Sequence, residues 1–173
     1  DVYVTECIER TIAMKNFEFY SPTRVFFGKG WHEQIGEIIK EYGFKKVLLH
    51  YGGGSIKKTG LYDVVTKALN NSGIEYVELG GVQPNPVLSV VKKGIELCRK
   101  EKVELVLAVG GGSVIDSAKV IAIGTMNDCD PWRIVTKEVL PKAALPVCTI
   151  LTLSATGSET SNSAVITNEE LKL

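Results

Sequence analysis

The stretch of the chain with the clearest chemical potential is a glycine-rich turn between a short apolar run and a helical pattern. Residues 105–109 are apolar and rich in β-branched side chains, and Gly110, Gly111, Gly112 and Ser113 follow them. This pattern predicts a buried parallel strand, a tight turn and a helix with Ser113 as its N-cap. Glycines let a ligand approach the backbone, and free amides at a helix N-terminus attract phosphate. We therefore predict a site for a nucleotide or another phosphate-bearing ligand.

The same local pattern also occurs as a simple tight turn, so the ligand site is a hypothesis. Neither the GxGxxG fingerprint nor the GxxxxGK[ST] loop occurs here. Asp116, in the first turns of the predicted helix, has two interpretations. It stabilises the helix dipole, or it accepts a hydrogen bond from the ligand.

Two further segments follow apolar runs in the same way. We call Gly52–Ser55 the first glycine loop, Gly110–Ser113 the second glycine loop, and Thr152–Glu159 the hydroxyl segment. In parallel α/β sheets, ligands bind at the carboxyl ends of the strands. We therefore expect these three segments to lie together at one edge of the sheet.

The first glycine loop indicates which nucleotide would suit the site. Folds that bind NAD usually place an acid here to hold the ribose 2′-hydroxyl, but Gly52–Lys58 contains none. Glycines, Ser55 and the lysines at 57 and 58 suit a 2′-phosphate instead. The alternative interpretation is a solvated turn with surface lysines. His50 precedes the loop and has two interpretations: it has a structural role, or it lines the ligand pocket.

The hydroxyl segment also has two interpretations. Its Ser and Thr side chains can bind a carboxamide, a ribose or a phosphate. They can equally cap a helix, with Ser154 or Thr156 as N-cap and Glu159 in the first turn. The two roles are compatible.

Composition narrows the class of protein. The chain has 173 residues, 45% of them hydrophobic, with 20 basic and 20 acidic side chains. A net charge of zero argues against nucleic acid or an anionic membrane surface as the main partner, and no apolar run is long enough to span a membrane. Residues 1–13 do not resemble a signal peptide and are interpreted as a leader or tag. Four scattered cysteines predict reduced thiols in a cytoplasmic protein.

Strand and helix patterns alternate along the chain, which predicts an α/β fold with a mostly parallel sheet and helices on both faces. One helix is predicted to begin with Asn85 as N-cap and Pro86 at its first position, and another to stop at Gly43. The predicted strands are 17–27, 46–51, 74–79, 105–109, 146–151 and 164–167, with helices over 31–42, 61–69, 85–102 and 113–123.

Several motifs occur in order along the chain, at 16–23, 25–28, Tyr51–Gly60, Gly81–Pro86, Gly110–Lys119 and Ala155–Glu159. Together they resemble those of the iron-containing (group III) alcohol dehydrogenases, and in particular the branch of NADPH-dependent butanol dehydrogenases and aldehyde reductases. The resemblance extends from Met14 to the end of the chain.

This resemblance implies a Rossmann-like domain over residues 14–173, the N-terminal cofactor domain of a two-domain dehydroquinate-synthase-like fold. It implies NADP(H) as cofactor and a role for each matching residue. In order along the cofactor, Gly53 and Ser55 lie at the 2′-phosphate, Asn85 near the adenine ribose, Gly111, Gly112 and Ser113 at the pyrophosphate, Asp116 near the nicotinamide, and Thr152 and Thr156 at the other edge. Gly52 is a further cofactor-binding residue.

The family also binds iron, or sometimes zinc, through one Asp and three His of a C-terminal helical domain, and those residues have no counterparts here. We therefore expect no metal-binding or catalytic residue in this chain and no turnover by it alone. The resemblance implies a parent enzyme that moves hydride between NADPH and a short-chain aldehyde or alcohol, forms a homo-oligomer, and binds neither nucleic acid nor membrane. Two alternatives stay open: a non-catalytic nucleotide-binding module, and a sister enzyme of the glycerol dehydrogenase or dehydroquinate synthase type.

Overall fold

A four-stranded parallel sheet with strand order β2-β1-β3-β4 organises the domain. The structure is a computed structural model that describes residues 21–173. The interpretation of residues 1–13 and the first part of the predicted strand 17–27 therefore lie outside the described residues. The elements are α1 (Ile35–Glu41, after a 3-10 turn at Trp31–Gln34), β1 (Lys46–Gly52), α2 (Ser55–Lys58), α3 (Leu61–Asn71), β2 (Glu75–Val82), α4 (Leu88–Glu101), β3 (Leu105–Gly110), α5 (Gly112–Met126), α6 (Pro131–Val135), β4 (Val147–Leu151) and a 3-10 turn (Ser158–Thr160).

Helices cover both faces of the sheet, which confirms the predicted fold class. Successive strand residues point to opposite faces, so Leu49 and Leu107 pack under α1 and α3, whereas Leu48 and Val106 pack under α4 and α5. Both central strands are almost completely buried, as near-continuous apolar runs predict. Two hydrophobic cores thus pack against the opposite faces of β1 and β3 and fix the positions of their carboxyl ends.

Two predicted helix starts are wrong. Gly111, not Ser113, is the N-cap of α5, and Ser113 is the second residue of the helix. Val87, not Asn85, is the N-cap of α4, because Asn85 has a left-handed backbone (φ 58°) and lies in the preceding loop. Gly43 ends the first helical segment as predicted, with φ 81° and its amide bonded to the Lys40 carbonyl (2.9 Å).

The strands at the margins differ from the predictions. β4 is an edge strand and only half-buried, since it has a neighbour on one side. Residues 164–167 form a single bridge, Val87 to Thr167, and 21–27 form no strand. The short helices α2 and α6 were not predicted. No helix within residues 21–173 is long and apolar enough to cross a membrane.

Candidate functional site

The second glycine loop connects β3 to α5 at the carboxyl edge of the sheet. The first internal bonds of α5 run from the amides of Val114 and Ile115 to the Gly111 carbonyl, and no side chain caps the helix. The amides of Gly112 and Ser113 therefore precede the first helical bonds. With the positive end of the dipole of a 15-residue helix behind them, they form a suitable site for an anion.

Close packing explains two of the glycines in this loop. A Cβ at Gly110 would lie 2.5 Å from Cγ2 of Val114, and a Cβ at Gly112 would lie 2.6 Å from Oγ1 of Thr156. Only glycine leaves room for these contacts. Thr156 of the hydroxyl segment therefore lies directly against the start of α5, in agreement with the predicted common edge of the three segments.

A second contact ties the hydroxyl segment to the same loop. The amide of Thr152 donates to the Gly110 carbonyl (3.0 Å), which extends the β3–β4 ladder by one bond. Thr156 Oγ1 accepts a bond from the Ser158 amide (3.3 Å), so it holds a turn as well as facing the loop. The 3-10 turn that follows has Gly157 as its N-cap, with φ 63° and no side-chain cap. The prediction that Ser154 or Thr156 is the N-cap is therefore wrong, whereas Glu159 lies in the first turn as predicted.

A polar network fastens this segment to the second turn of α5. Asp116 accepts hydrogen bonds from Ser158 Oγ (2.5 Å) and from the Val165 amide (3.2 Å). Lys119 Nζ donates to Ser158 Oγ (2.8 Å) and to the Ser163 carbonyl (2.8 Å). Partial burial lowers the pKa of Lys119, while Asp116 and Glu159 oppose that change. Asp116, predicted to lie near the nicotinamide, therefore has both carboxylate oxygens engaged by the chain itself.

The first glycine loop lies beside the second. A Cβ at Gly52 would lie 3.5 Å from the Val82 carbonyl and 3.8 Å from Val114 Cγ2, so β1, β2 and α5 meet there. Gly53 and Gly54 have open space where a Cβ would be, and Gly54 has φ 122°. Ser55 is exposed at the start of α2.

Asn85 lies farther along the same edge, in the exposed loop after β2. The structure thus brings the three predicted segments to one edge of the sheet. The roles assigned to their residues remain predictions. A shallow depression at the opposite edge, between Lys46, Asn70 and Tyr76, has neither a glycine loop nor a helix N-terminus facing it.

His50 does not line this edge, because its side chain is completely buried. Its Nδ1 lies 2.9 Å from the Leu79 carbonyl, and its Nε2 lies 2.6 Å from Ser117 Oγ. A carbonyl only accepts, so Nδ1 carries the proton. Nε2 of the neutral ring then accepts from the Ser117 hydroxyl at 2.6 Å, in preference to the Val114 carbonyl 3.0 Å from the same hydroxyl. Burial lowers the pKa of His50 to about 4, which keeps the ring neutral. Of its two interpretations, the structural role fits.

The described residues do not fit a metal centre. Within residues 21–173, no three His, Cys, Asp or Glu side chains come together as a possible ligand set. One buried carboxylate oxygen, Glu159 Oε2, has no hydrogen-bond partner. Its cationic neighbour is Lys119, which already bonds to Ser158 and Ser163.

A parallel sheet with helices on both faces and glycine loops at its carboxyl edge defines a Rossmann-like N-terminal domain. The family described as iron-containing alcohol dehydrogenase matches residues 22–173. The chain belongs to that family, which confirms the resemblance found in the motifs.

Individual relatives agree with this assignment. The chain is 54% identical over 159 residues to a probable NADH-dependent butanol dehydrogenase of Bacillus subtilis, covering 92% of this chain and 41% of the relative. It is 44% identical to the NADPH-dependent aldehyde reductase YqhD of Escherichia coli, covering 90% of this chain and 40% of the relative. The crystal structure of NADH-dependent butanol dehydrogenase A from Thermotoga maritima superposes with a TM-score of 0.89 at 52% identity, covering 91% of this chain and 40% of that one. The chain thus spans about two fifths of the length of these relatives.

Proposed function

We propose that this chain is the NADP(H)-binding domain of an alcohol dehydrogenase or aldehyde reductase of the butanol dehydrogenase type. The observation that carries the proposal is the meeting of Thr156 with Gly112 at the uncapped start of α5. A cofactor pyrophosphate there would meet backbone amides on one side and hydroxyl groups on the other.

The predicted residues then have consistent roles along the cofactor. The amides of Gly112 and Ser113 hold the pyrophosphate against the helix dipole, with Gly111 setting the turn. Thr152 and Thr156 contact the cofactor from the side of β4, and Asn85 lies towards the adenine ribose. Bound NADP(H) supplies or accepts the hydride.

Asp116 has an indirect role in this proposal. Because it holds Ser158 and the Val165 amide, it fixes the hydroxyl segment on the nicotinamide side of the site. Loss of its carboxylate would therefore affect cofactor binding through the position of Thr156.

The preference for NADP(H) rests on the first glycine loop. Among the relatives named above, the butanol dehydrogenases, at 52–54% identity, carry NADH in their names, and the aldehyde reductase, at 44%, carries NADPH, so the names do not settle the cofactor. Gly52–Lys58 has no acid to hold a ribose 2′-hydroxyl or repel a 2′-phosphate, whereas the exposed Ser55 and the positive charge that follows it in α2 suit a phosphate.

Calorimetric titration of the chain with NADPH and with NADH tests this function, with a thermal melt of each sample to establish folding. We expect NADPH to bind more tightly, and Ser55→Ala to weaken NADPH more than NADH. Equal affinities would remove the proposed preference while leaving a dinucleotide domain. A cooperatively folded chain that binds neither cofactor would overturn the proposal.

The substrates proposed for the parent enzyme are short-chain alcohols and aldehydes, by analogy with the names of the relatives. We propose that its metal is held by residues outside 21–173, since residues 21–173 contain no group of side chains that could hold a metal ion. The chain alone should then show no oxidation of NADPH by butanal with added Fe²⁺ or Zn²⁺. Metal-dependent turnover by this chain would contradict the proposal that the metal is held by residues outside 21–173.

We further propose a cytoplasmic location and a homo-oligomeric parent enzyme. The free thiols of Cys98, Cys129 and Cys148 support a reducing compartment. Light scattering on the parent enzyme tests the second point, and a monomer would refute it.

A further inference from the structure

Lys57 differs from its neighbour Lys58 in how its ammonium group is held. It lies in α2, directly after the first glycine loop, and its amide bonds to the Gly54 carbonyl (3.2 Å). Its Nζ stands over two aromatic rings, 5.2 Å from the centroid of Tyr51 and 4.6 Å from that of Tyr62. Cation–π contacts of this kind fix a charge that a lysine side chain otherwise leaves mobile.

A chain of hydrogen bonds holds the two rings in place. The carboxylate of Glu78 in β2 accepts one bond from Tyr51 Oη (2.8 Å) and one from Tyr62 Oη (2.7 Å). The rings meet edge to face at 5.8 Å. Tyr51 is also buried, and a Cβ at Gly80 would lie 2.5 Å from its ring, so this ring has no room to turn. The support under Lys57 is therefore rigid.

The ammonium group keeps capacity for a ligand. The interaction with Tyr51 raises the pKa of Lys57, so the group stays charged. An ammonium has three N–H donors, and contact with the faces of two rings leaves them able to bond a ligand. The side chain is exposed and follows the open first glycine loop in the chain.

We propose that Lys57 is the specificity-determining residue for the 2′-phosphate, and that Tyr51, Tyr62 and Glu78 are its positioning residues. This inference rests on the proposed binding of NADP(H). It selects Lys57 from the two lysines of α2 that follow the first glycine loop. A charge fixed before binding loses less side-chain entropy when the phosphate arrives. NADH, which lacks that phosphate, gains nothing from it.

The test compares Lys57→Met with Lys58→Met, a matched pair of exposed neighbours. Dissociation constants for NADPH and NADH are measured by calorimetry on each folded chain. Lys57→Met should weaken NADPH by about tenfold, the usual value of a charge-assisted bond to phosphate, and leave NADH within about twofold. Lys58→Met should change both only slightly, and Lys57→Arg should keep most of the NADPH affinity.

A second pair tests the positioning role. Tyr62→Phe keeps the ring under the ammonium, whereas Tyr62→Leu removes it. Tyr62→Leu should weaken NADPH about threefold, in line with a cation–π contact, and Tyr62→Phe should restore most of that loss. An equal loss in both Tyr62 variants, with NADH weakened in parallel, would mean a purely structural role and overturn the positioning claim.

The outcomes distinguish a failure of the Lys57 inference from a failure of the proposed function. If the unmodified chain prefers NADPH and Lys57→Met keeps that preference, the inference fails and the proposed function stands. If the unmodified chain binds both cofactors equally, the proposed preference itself fails, whatever the variants do. A loss of NADPH affinity in Lys58→Met as large as in Lys57→Met also overturns the inference.

Discussion

The two glycine loops share the sequence Gly-Gly-Gly-Ser, but their glycines answer different physical needs. In the second loop, Cβ atoms at Gly110 and Gly112 would lie within 2.6 Å of Val114 and Thr156. In the first loop, Gly53 and Gly54 would meet no atom within 4 Å. Glycine in the second loop permits close packing, whereas in the first it permits an unusual backbone and leaves open space.

This difference changes what a substitution measures. A methyl group added at Gly110 or Gly112 of the second loop acts first on the fold, and any effect on a ligand is indirect. A methyl group added at an open position of the first loop acts on whatever approaches from outside. Substitutions in and around the two loops can therefore break or sharpen the contrast.

The contact that joins the flanks of the two loops should give the largest effect, and it depends on pH. His50 precedes the first loop and bonds to Ser117 in the helix after the second. Because burial lowers the pKa of His50 from 6.5 to about 4, the unfolded state binds its proton more readily. The contribution of neutral, buried His50 to the free energy of unfolding is complete above pH 6.5 and is lost as the pH falls towards 4. The loss approaches about 3 kcal/mol, since lowering a pKa by one corresponds to about 1.4 kcal/mol.

Urea unfolding between pH 7.5 and 4.5 measures this slope. His50→Gln should flatten the pH dependence, whatever it does to stability at neutral pH. Equal slopes in the unmodified chain and in His50→Gln would show that His50 titrates normally.

Gly110→Ala should cost about 2 kcal/mol, as expected for overpacking in a close-packed region. The added methyl would meet Val114, a buried β-branched residue that cannot turn away without moving α5. Urea unfolding with a constant m-value measures the change. A Gly110→Ala chain as stable as the unmodified one would show that the start of α5 yields easily, and the contrast between the loops would disappear.

The contrast also explains which features the sequence could predict. The central strands β1 and β3 follow from apolar runs with glycine at their ends, and the common edge of the three segments follows from parallel strand order. These features depend on residues close together in the chain or on a general rule of topology. They are confirmed for β1, β3 and the fold class.

Features set by distant contacts or by backbone choice could not be predicted. Gly111 rather than Ser113 caps α5 because the helix begins two residues earlier than predicted, and residue type does not show that. The bonds among Asp116, Lys119 and Ser158 join residues about forty positions apart. The sequence alone offers the helix dipole or a ligand as the partner of Asp116, and only the folded chain brings Ser158 to it.

Gly54→Ala should cost about 1–2 kcal/mol through backbone strain alone. Its φ of 122° lies where side chains other than hydrogen are unfavourable, although nothing crowds the position. The free energy of unfolding should fall in Gly54→Ala. It should fall less in Gly54→Asn, because Asn tolerates a positive φ better than Ala does. A neutral Gly54→Ala would show that the loop relaxes into an ordinary conformation at little cost.

Gly53→Ala should give the smallest change in stability and the most informative change in binding. Its φ lies outside the strained positive range and no atom stands within 4 Å of the added methyl, so stability should stay within about 0.5 kcal/mol. If the adenosine 2′-phosphate lies against this glycine, the methyl must displace it, and NADPH should weaken several-fold more than NADH. An unchanged NADPH affinity would mean that the cofactor does not approach Gly53. A loss of stability as large as that of Gly110→Ala would mean that close packing requires glycine in the first loop as well.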